Sequence, residues 1–494
     1  MERADAYAQQ AQALTDAGDN KGALDAINRA IALRDDNPTY FLLLGAIELR
    51  ANDPVNGFKA FKRVLELDAT NVNALTYVSN LGLQVGQVKD ASDAADRLLA
   101  LNPNSLVGLQ VKGLVEVLTG HLDAARGYSD RILALSPSDE AGTIVRARVL
   151  AKSGKYDEAL ALVDNAMVIV GPTPALLITK LNLFRVLRRP DDMAAAFDQI
   201  LPIIKNQSMA LRLDQINLLY KIGQTDKARK QALAFLAVGS IDPNDYRILQ
   251  RIWWEFDPTP LSVESVKLAK QWPDPLALVA VGRYLLWHGN PQRADDLYFA
   301  VRPGIQPIGI AIHIRAVFGM GRVEEARRGV DLILQRDTED VDALMLRAHF
   351  RQQDGQSNLA IEAAQKAVDS DPYDPETYVV LADLFRAAGS NWRATQVYED
   401  GLKALQQDFM LVDKYTQFLH ELRDKSRAVS VARAFTRAMP ASVKAWSNLA
   451  AQCRWANDNA CVAEAEKGRQ NAQTSYRVDG TPGAPADRGL LGEF

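Results

Sequence analysis

The sequence predicts an all-α protein built as a stack of helical hairpins, an α-solenoid. Three observations lead there. Small residues recur at a nearly constant step, a turn rich in Gly, Asp and Asn stands just before each of them, and a proline or an Asp/Asn-rich break closes many of the copies. A fixed period that survives most of a 494-residue chain is the mark of a repeat architecture.

The ruler runs Ala23, Gly57, Ala91, Ala125, Ala159, Ala194, Ala228, Ser262, Ala294, Ala326, Ala360, Ala394 and Ala428, in steps of 34 with one of 35 and two of 32. Twelve residues before many of these stands a second small residue, as at Ala11, Gly45, Gly113, Ala147, Ala348 and Ala382. Four residues after them comes a helix-core position such as Ile27, Phe61, Phe197, Tyr298 or Tyr398. One small residue on each helix of a hairpin lets two backbones approach closely. The intervening turns, "DAGDNKG", "KSGKYDE", "KIGQTDK" and "RAAGSNW", carry the residues that reverse a chain. Pro103, Pro137, Pro172, Pro372 and Pro440 end second helices, because proline cannot donate to the preceding turn. One hairpin cannot bury its own apolar face, so the hairpins must stack.

This pattern resembles the tetratricopeptide repeat, and the clearest copy is "PETYVVLADLFRAAGSNWRATQVYEDGLKAL", residues 375–405, with Tyr378, Leu381, Ala382, Phe385, Ala394 and Tyr398 on the family positions. The resemblance implies a right-handed superhelix of about fourteen helix-turn-helix repeats. Residues 4–242 read as an array of seven repeats, 243–306 as two shortened and irregular ones, and 307–475 as five more. "DPTPLS", 257–262, breaks the turn of the first short copy with two prolines and implies a kink. Residues 476–494 lack periodicity, are rich in Gly and Pro, and read as a flexible tail.

Composition narrows the function. The chain is 48% hydrophobic and 24% charged with a net charge of -4, which gives no nucleic-acid footprint. No window is apolar enough to span a membrane. The sequence has no phosphate-binding glycine loop, nucleophile elbow or paired-histidine metal motif, so no enzyme, no metal and no cofactor is expected. "NQS" at 206–208 is a formal glycosylation sequon. Arginine outnumbers lysine and alanine is abundant, as suits a GC-rich bacterial genome.

In proteins of similar build the first helix of each pair lines a concave groove that holds a peptide or a partner helix. One station on those helices, immediately after the small residue, reads Arg148, Asn182, Asn217, Arg251, Arg283, Arg315 and His349 through the middle of the chain. Trp254, Leu286 and Phe318 follow one helical turn later, and Arg247 and Trp287 share that side. The expectation is a partner-binding ladder of Arg247, Arg251, Trp254, Arg283, Trp287, Arg315 and Phe318, facing away from the stacked core and suited to acidic and apolar groups. Trp253 takes the core station and Trp254 is pushed into the groove. The competing reading is structural filling, with the arginines paired to neighbouring acids. Asp342, Glu376, Asp383, Asp413 and Glu421 make the later groove acidic.

Cys453 and Cys461 flank the last turn, where they could form a disulfide in an oxidising compartment or stand as two buried thiols. The resemblance implies a scaffold or adaptor for another protein or peptide, in a bacterial envelope assembly or polysaccharide export complex, and hence the periplasm. The alternatives are a cytoplasmic co-chaperone-like adaptor and a solenoid that binds an anionic polysaccharide. A signal or lipid anchor ahead of residue 1 would favour the first.

Overall fold

The computed structural model describes residues 2–51, 53–204, 209–240 and 242–476. These form 28 α-helices and no strand, arranged as fourteen successive pairs in a solenoid of helical repeats. The sequon at 206–208, and all of the expected tail except Tyr476, lie outside the described residues.

The helices fall into two compact units. The first contains α1 (Glu2–Asp16), α2 (Asn20–Leu33), α3 (Pro38–Arg50), α4 (Pro54–Leu67), α5 (Val72–Gln84), α6 (Val88–Leu101), α7 (Leu106–Thr119), α8 (Leu122–Leu135), α9 (Glu140–Lys152), α10 (Tyr156–Val170), α11 (Pro174–Val186) and α12 (Pro190–Ile200). The second contains α13 (Met209–Lys221), α14 (Thr225–Val238), α15 (Pro243–Phe256), α16 (Val263–Val266), α17 (Pro275–Trp287), α18 (Pro291–Ala300), α19 (Ile310–Gly319) and α20 (Val323–Arg336). It continues with α21 (Val341–Gln353), α22 (Ser357–Ser370), α23 (Pro375–Ala387), α24 (Asn391–Ala404), α25 (Phe409–Glu421), α26 (Lys425–Ala438), α27 (Val443–Ala456) and α28 (Asn459–Gln473). The division falls one repeat ahead of the shortened copies.

Local chemistry sets the helix ends. Asn37, Asn71, Ser105, Asp139 and Thr173 cap the first helices of successive hairpins in the first unit, each side chain accepting from a backbone N–H two or three residues on. Asp340, Asp374, Asp408 and Ser442 do the same in the second. Such a cap contributes about 1 kcal/mol. The hairpin turn needs one left-handed residue, which glycine supplies at most copies; Arg188, Arg423 and Asn457 take it at φ 54°, 56° and 60°.

The ruler residues pack where helices touch. Ala23, Ala91, Ala125, Ala159, Ala228 and Ala294 are all wholly buried. A Cβ on Gly45 would stand 2.6 Å from the Phe61 ring, so that close approach requires glycine. Neighbouring repeats of the first unit are joined by Lys112–Asp96, Arg146–Asp130 and Lys180–Asp164, each pair sixteen residues apart. Ala394 sits fully buried among Ala382, Tyr398, Tyr415 and Ala428. Ala394→Leu is expected to overpack that contact and cost about 1–3 kcal/mol. Denaturant unfolding of the second unit reads the loss, and an unchanged midpoint would remove Ala394 from the packing register.

The proline-broken copy departs from the pattern. Its second helix shrinks to α16 followed by a 3-10 turn at Lys267–Gln271, and Ser262 is exposed as the cap of α16 rather than packed as a small residue. Trp272 fills the space, wholly buried. Asp257 pins the break: it accepts from Tyr220 Oη at 2.9 Å and bidentately from Arg229 at 2.7 and 2.9 Å.

Candidate partner-binding site

The expected ladder lies on α15, α17 and α19, all within the second unit. Facing it are the N-terminal ends of α21, α23, α25 and α27, spaced by the same 34-residue step that spaces their caps. Arg315 Nη1 reaches Asp342 Oδ1 at 2.6 Å, and its Nη2 bonds Glu376. Arg283 Nη2 reaches Asp342 Oδ2 at 2.7 Å, and its Nη1 lies 2.8 Å from Asp374 in an ionic contact without good hydrogen-bond alignment. Trp287 donates its indole N–H to Glu376. Thus two cations and the indole share three carboxylates from the next two hairpins.

Further back along the chain the partners lie further forward. Arg251 donates to Gln407 at 2.5 Å. Trp254 stacks on Phe409 with ring centres 4.9 Å apart, edges against Phe435, and has the Lys444 ammonium over its ring, 5.2 Å from the centre. Glu255 accepts from the Ser442 hydroxyl and from the Lys444 backbone N–H at the start of α27. The inner wall of α15–α19 is therefore closed by the rim of α21–α27.

This corrects the expectation that the arginine stations face away from packed structure. Arg251 and Arg315 are each 9% exposed, and their polar atoms meet groups of the same unit. Of the two readings the sequence left open, pairing with the chain's own acids holds for Arg283 and Arg315. A change of these arginines to Glu would set like charges against Asp342 and Glu376, so the second unit would not melt unchanged. Phe318 belongs to the hydrophobic cluster of α19–α21, edge-on to His349 and Phe350. Asp383 and Glu421 are occupied locally by Arg386, at 3.4 and 2.9 Å. Asp413 accepts from Asn448 at 3.3 Å.

Burial shapes the charges. Burial opposes the charge on Asp342, but Arg283 and Arg315 overcome it and hold its carboxyl down to about 2. Asp374 is pushed up to about 6 by burial, with Arg283 pulling the other way. Asp408, the cap of α25, is likewise pushed up to about 6 by burial, against Arg251 and Arg247.

The closure leaves a cleft. It lies between α15 and α17 on one side and the starts of α23 and α25 on the other, and has a volume of about 410 Å³. Arg247, Arg283, Trp287 and Tyr373 line it together with the carboxyls of Asp371, Asp374 and Asp408. Arg247 lies against the Tyr373 ring at 5.6 Å, and its charge acts on the Asp408 carboxyl of the same cleft. Tyr373 is 56% exposed. Of the ladder, Arg247 is the rung that its own chain leaves to the cleft. Sequence reasoning missed Tyr373, Glu255, Gln407, Ser442 and Lys444; the regular cap spacing was visible, but nothing in it says which wall the caps meet.

Cys453 and Cys461 are joined by a disulfide across the last hairpin, with Cα atoms 5.6 Å apart. Among the described residues no group of three or more His, Cys, Asp and Glu could hold a metal ion. No described helix is long and apolar enough to cross a membrane.

Stacked hairpins of this kind define a helical-repeat solenoid. A tetratricopeptide repeat family model matches residues 8–72, the first two hairpins. Among solved structures, a tetratricopeptide repeat protein from Parabacteroides merdae is 16% identical, with 51% of this chain and 99% of that one covered and a TM-score of 0.41. A thermophilic repeat protein of Thermus thermophilus is 21% identical over 37% of this chain and 99% of its own, with a TM-score of 0.33. YrrB, a repeat protein described as having an unusual peptide-binding site, is 19% identical over 33% and 84%, with a TM-score of 0.30. No curated protein matches the chain.

Proposed function

We propose that the protein is a non-enzymatic adaptor that holds an acidic, partly apolar segment of a partner protein in the cleft beside Arg247. The observation that carries this reading is the guanidinium of Arg247, set in the cleft beside the half-exposed Tyr373 ring, with Asp408 acting on it only through space. A carboxylate of the partner would pair with Arg247, and an apolar neighbour would lie on Tyr373 and Trp287. Arg283 and Arg315 hold the walls of the cleft rather than the ligand. The disulfide supports an oxidising compartment, in keeping with an envelope assembly or export complex in the periplasm.

Arrayed acidic and aromatic decapeptides, titrated by fluorescence anisotropy, test the proposal. Peptides carrying both groups are expected to bind, and less tightly as salt rises. Arg247→Ala is expected to weaken the best binder about tenfold or more, with the melting temperature little changed, because it breaks no ion pair and sets no like charge beside Asp408. Equal affinity in the variant would place the partner on another surface. Preference for an anionic polysaccharide over every peptide would replace the protein partner with a glycan.

A further inference from the structure

The cleft beside Arg247 also carries acids. Its floor is apolar, with Leu276 and Val279 of α17 beside Trp287. Its far wall presents three carboxyls, and two of them are committed to the fold. Asp374 and Asp408 cap α23 and α25, each accepting from a backbone N–H of the first turn. Asp374 also lies 2.8 Å from Arg283 Nη1.

Asp371 is placed differently. It stands just past the end of α22, and one of its oxygens accepts from the Tyr373 backbone N–H at 3.0 Å. Its other oxygen is 3.9 Å from Arg283 Nη1, on a guanidinium already shared by Asp342 and Asp374. The Asp371 side chain is 33% exposed, against 0% for Asp374. Tyr373 joins this carboxyl to Arg247: it follows Asp371 in the turn, and Arg247 packs on its ring. The closed unit therefore offers the cleft a charge of each sign, with an exposed aromatic ring beside both. A segment carrying only acids would meet Arg247 but also face Asp371 and Asp408, which repel it. A cation in the segment turns the repulsion by Asp371 into attraction.

We propose that the cleft selects a segment of mixed charge: an acidic side chain pairs with Arg247, an apolar one lies on Tyr373, and a lysine or arginine a few residues away pairs with Asp371. This rests on the reading of the cleft as the partner's seat, and it makes Asp371 the residue that sets specificity there. The same carboxyl attracts the right segment and rejects a wholly acidic one, so it discriminates in both directions. Because it is partly solvated, the pair it forms contributes what a half-shielded ion pair contributes, about fivefold in affinity.

Fluorescein-labelled decapeptides, titrated with the full chain by anisotropy, provide the test. Every peptide carries a glutamate and a tyrosine, with lysine, glutamine or a second glutamate placed at each remaining position in turn. At the best position the lysine peptide should bind wild type about fivefold more tightly than its glutamine twin, and the doubly acidic peptide more weakly than either. The lysine advantage should shrink as salt rises. Asp371→Asn keeps an acceptor for the Tyr373 N–H, so the turn stands. In that variant the lysine advantage should vanish while the glutamine peptide binds as before. Equal binding of lysine and glutamine peptides to wild type at every position would overturn the proposal, as would a lysine advantage that survives in Asp371→Asn. Arg247→Ala separates this failure from failure of the seat itself. If it weakens the glutamine peptide while lysine confers no advantage, the seat stands and the charge selection alone falls. If it leaves every peptide unchanged, or if no peptide binds wild type, both fall.

Discussion

Asp342→Ala is expected to destabilise the second unit by about 3–5 kcal/mol, because it removes the shared acceptor of two buried cations. Asp342 is 5% exposed and takes Arg283 on both oxygens, most closely on Oδ2, and Arg315 on Oδ1. With the carboxylate gone, Arg283 is left with Asp374 and the more distant Asp371, and Arg315 with Glu376. Asp342→Asn keeps the volume and an acceptor but loses the charge, so it should cost less than alanine. The dependence on pH gives a second check. The carboxyl is held down to about 2 in the fold, below its value of about 3.9 in an unfolded chain. Its contribution is therefore present above about pH 4 and lost as pH falls toward 2. Wild type and Asp342→Ala should differ most at neutral pH and converge in acid. Denaturant titrations of both proteins across that range measure it, and a neutral-pH difference under about 1 kcal/mol would mean the cluster does not hold the closure.

Trp253→Ala should cost about 3–5 kcal/mol, as expected for a large aromatic lost from a packed interior. The side chain is wholly buried, its ring centre 5.3 Å from that of Tyr284, in the region where the shortened hairpin interrupts the stack. Nothing nearby is a repeat in good register that could collapse into the void. Trp253→Phe should be far milder. Among the described residues the indole N–H finds no acceptor, so phenylalanine loses volume but also removes an unsatisfied donor. Thermal melting followed at the second unit separates the two substitutions. Equal losses would show that the cost lies in shape alone, and no loss from alanine would contradict the core position of Trp253.

The adjacent tryptophans show how far local sequence reaches. Successive helix residues point about 100° apart, so one had to enter the core and the other had to leave it. That much was legible, and Trp253 is the core member. The sequence placed Trp254 on the inner side, but not its stacking on Phe409, a partner 155 positions away from it in the sequence. The arginines follow the same rule. Their common station was readable from the period, whereas their acceptors were assigned to a partner when Asp342 and Glu376 of the same chain supply them.

The sequence by itself determined the helices, their hairpin pairing and the stack, because each depends on residues within one repeat or the next: a cap, a left-handed turn, a small residue against an aromatic. It also marked the irregular copy, through the two prolines of 257–262. Only the tertiary structure decided that the inner wall of α15–α19 meets the rim of α21–α27, that Arg247 is the rung left to the cleft, and that Lys221 reaches the end of α28. Each repeat adds a small rotation to the stack, and contacts between residues up to 254 positions apart depend on the sum of those rotations. No local pattern carries that sum, so the place where a solenoid closes on itself is a property of the whole array.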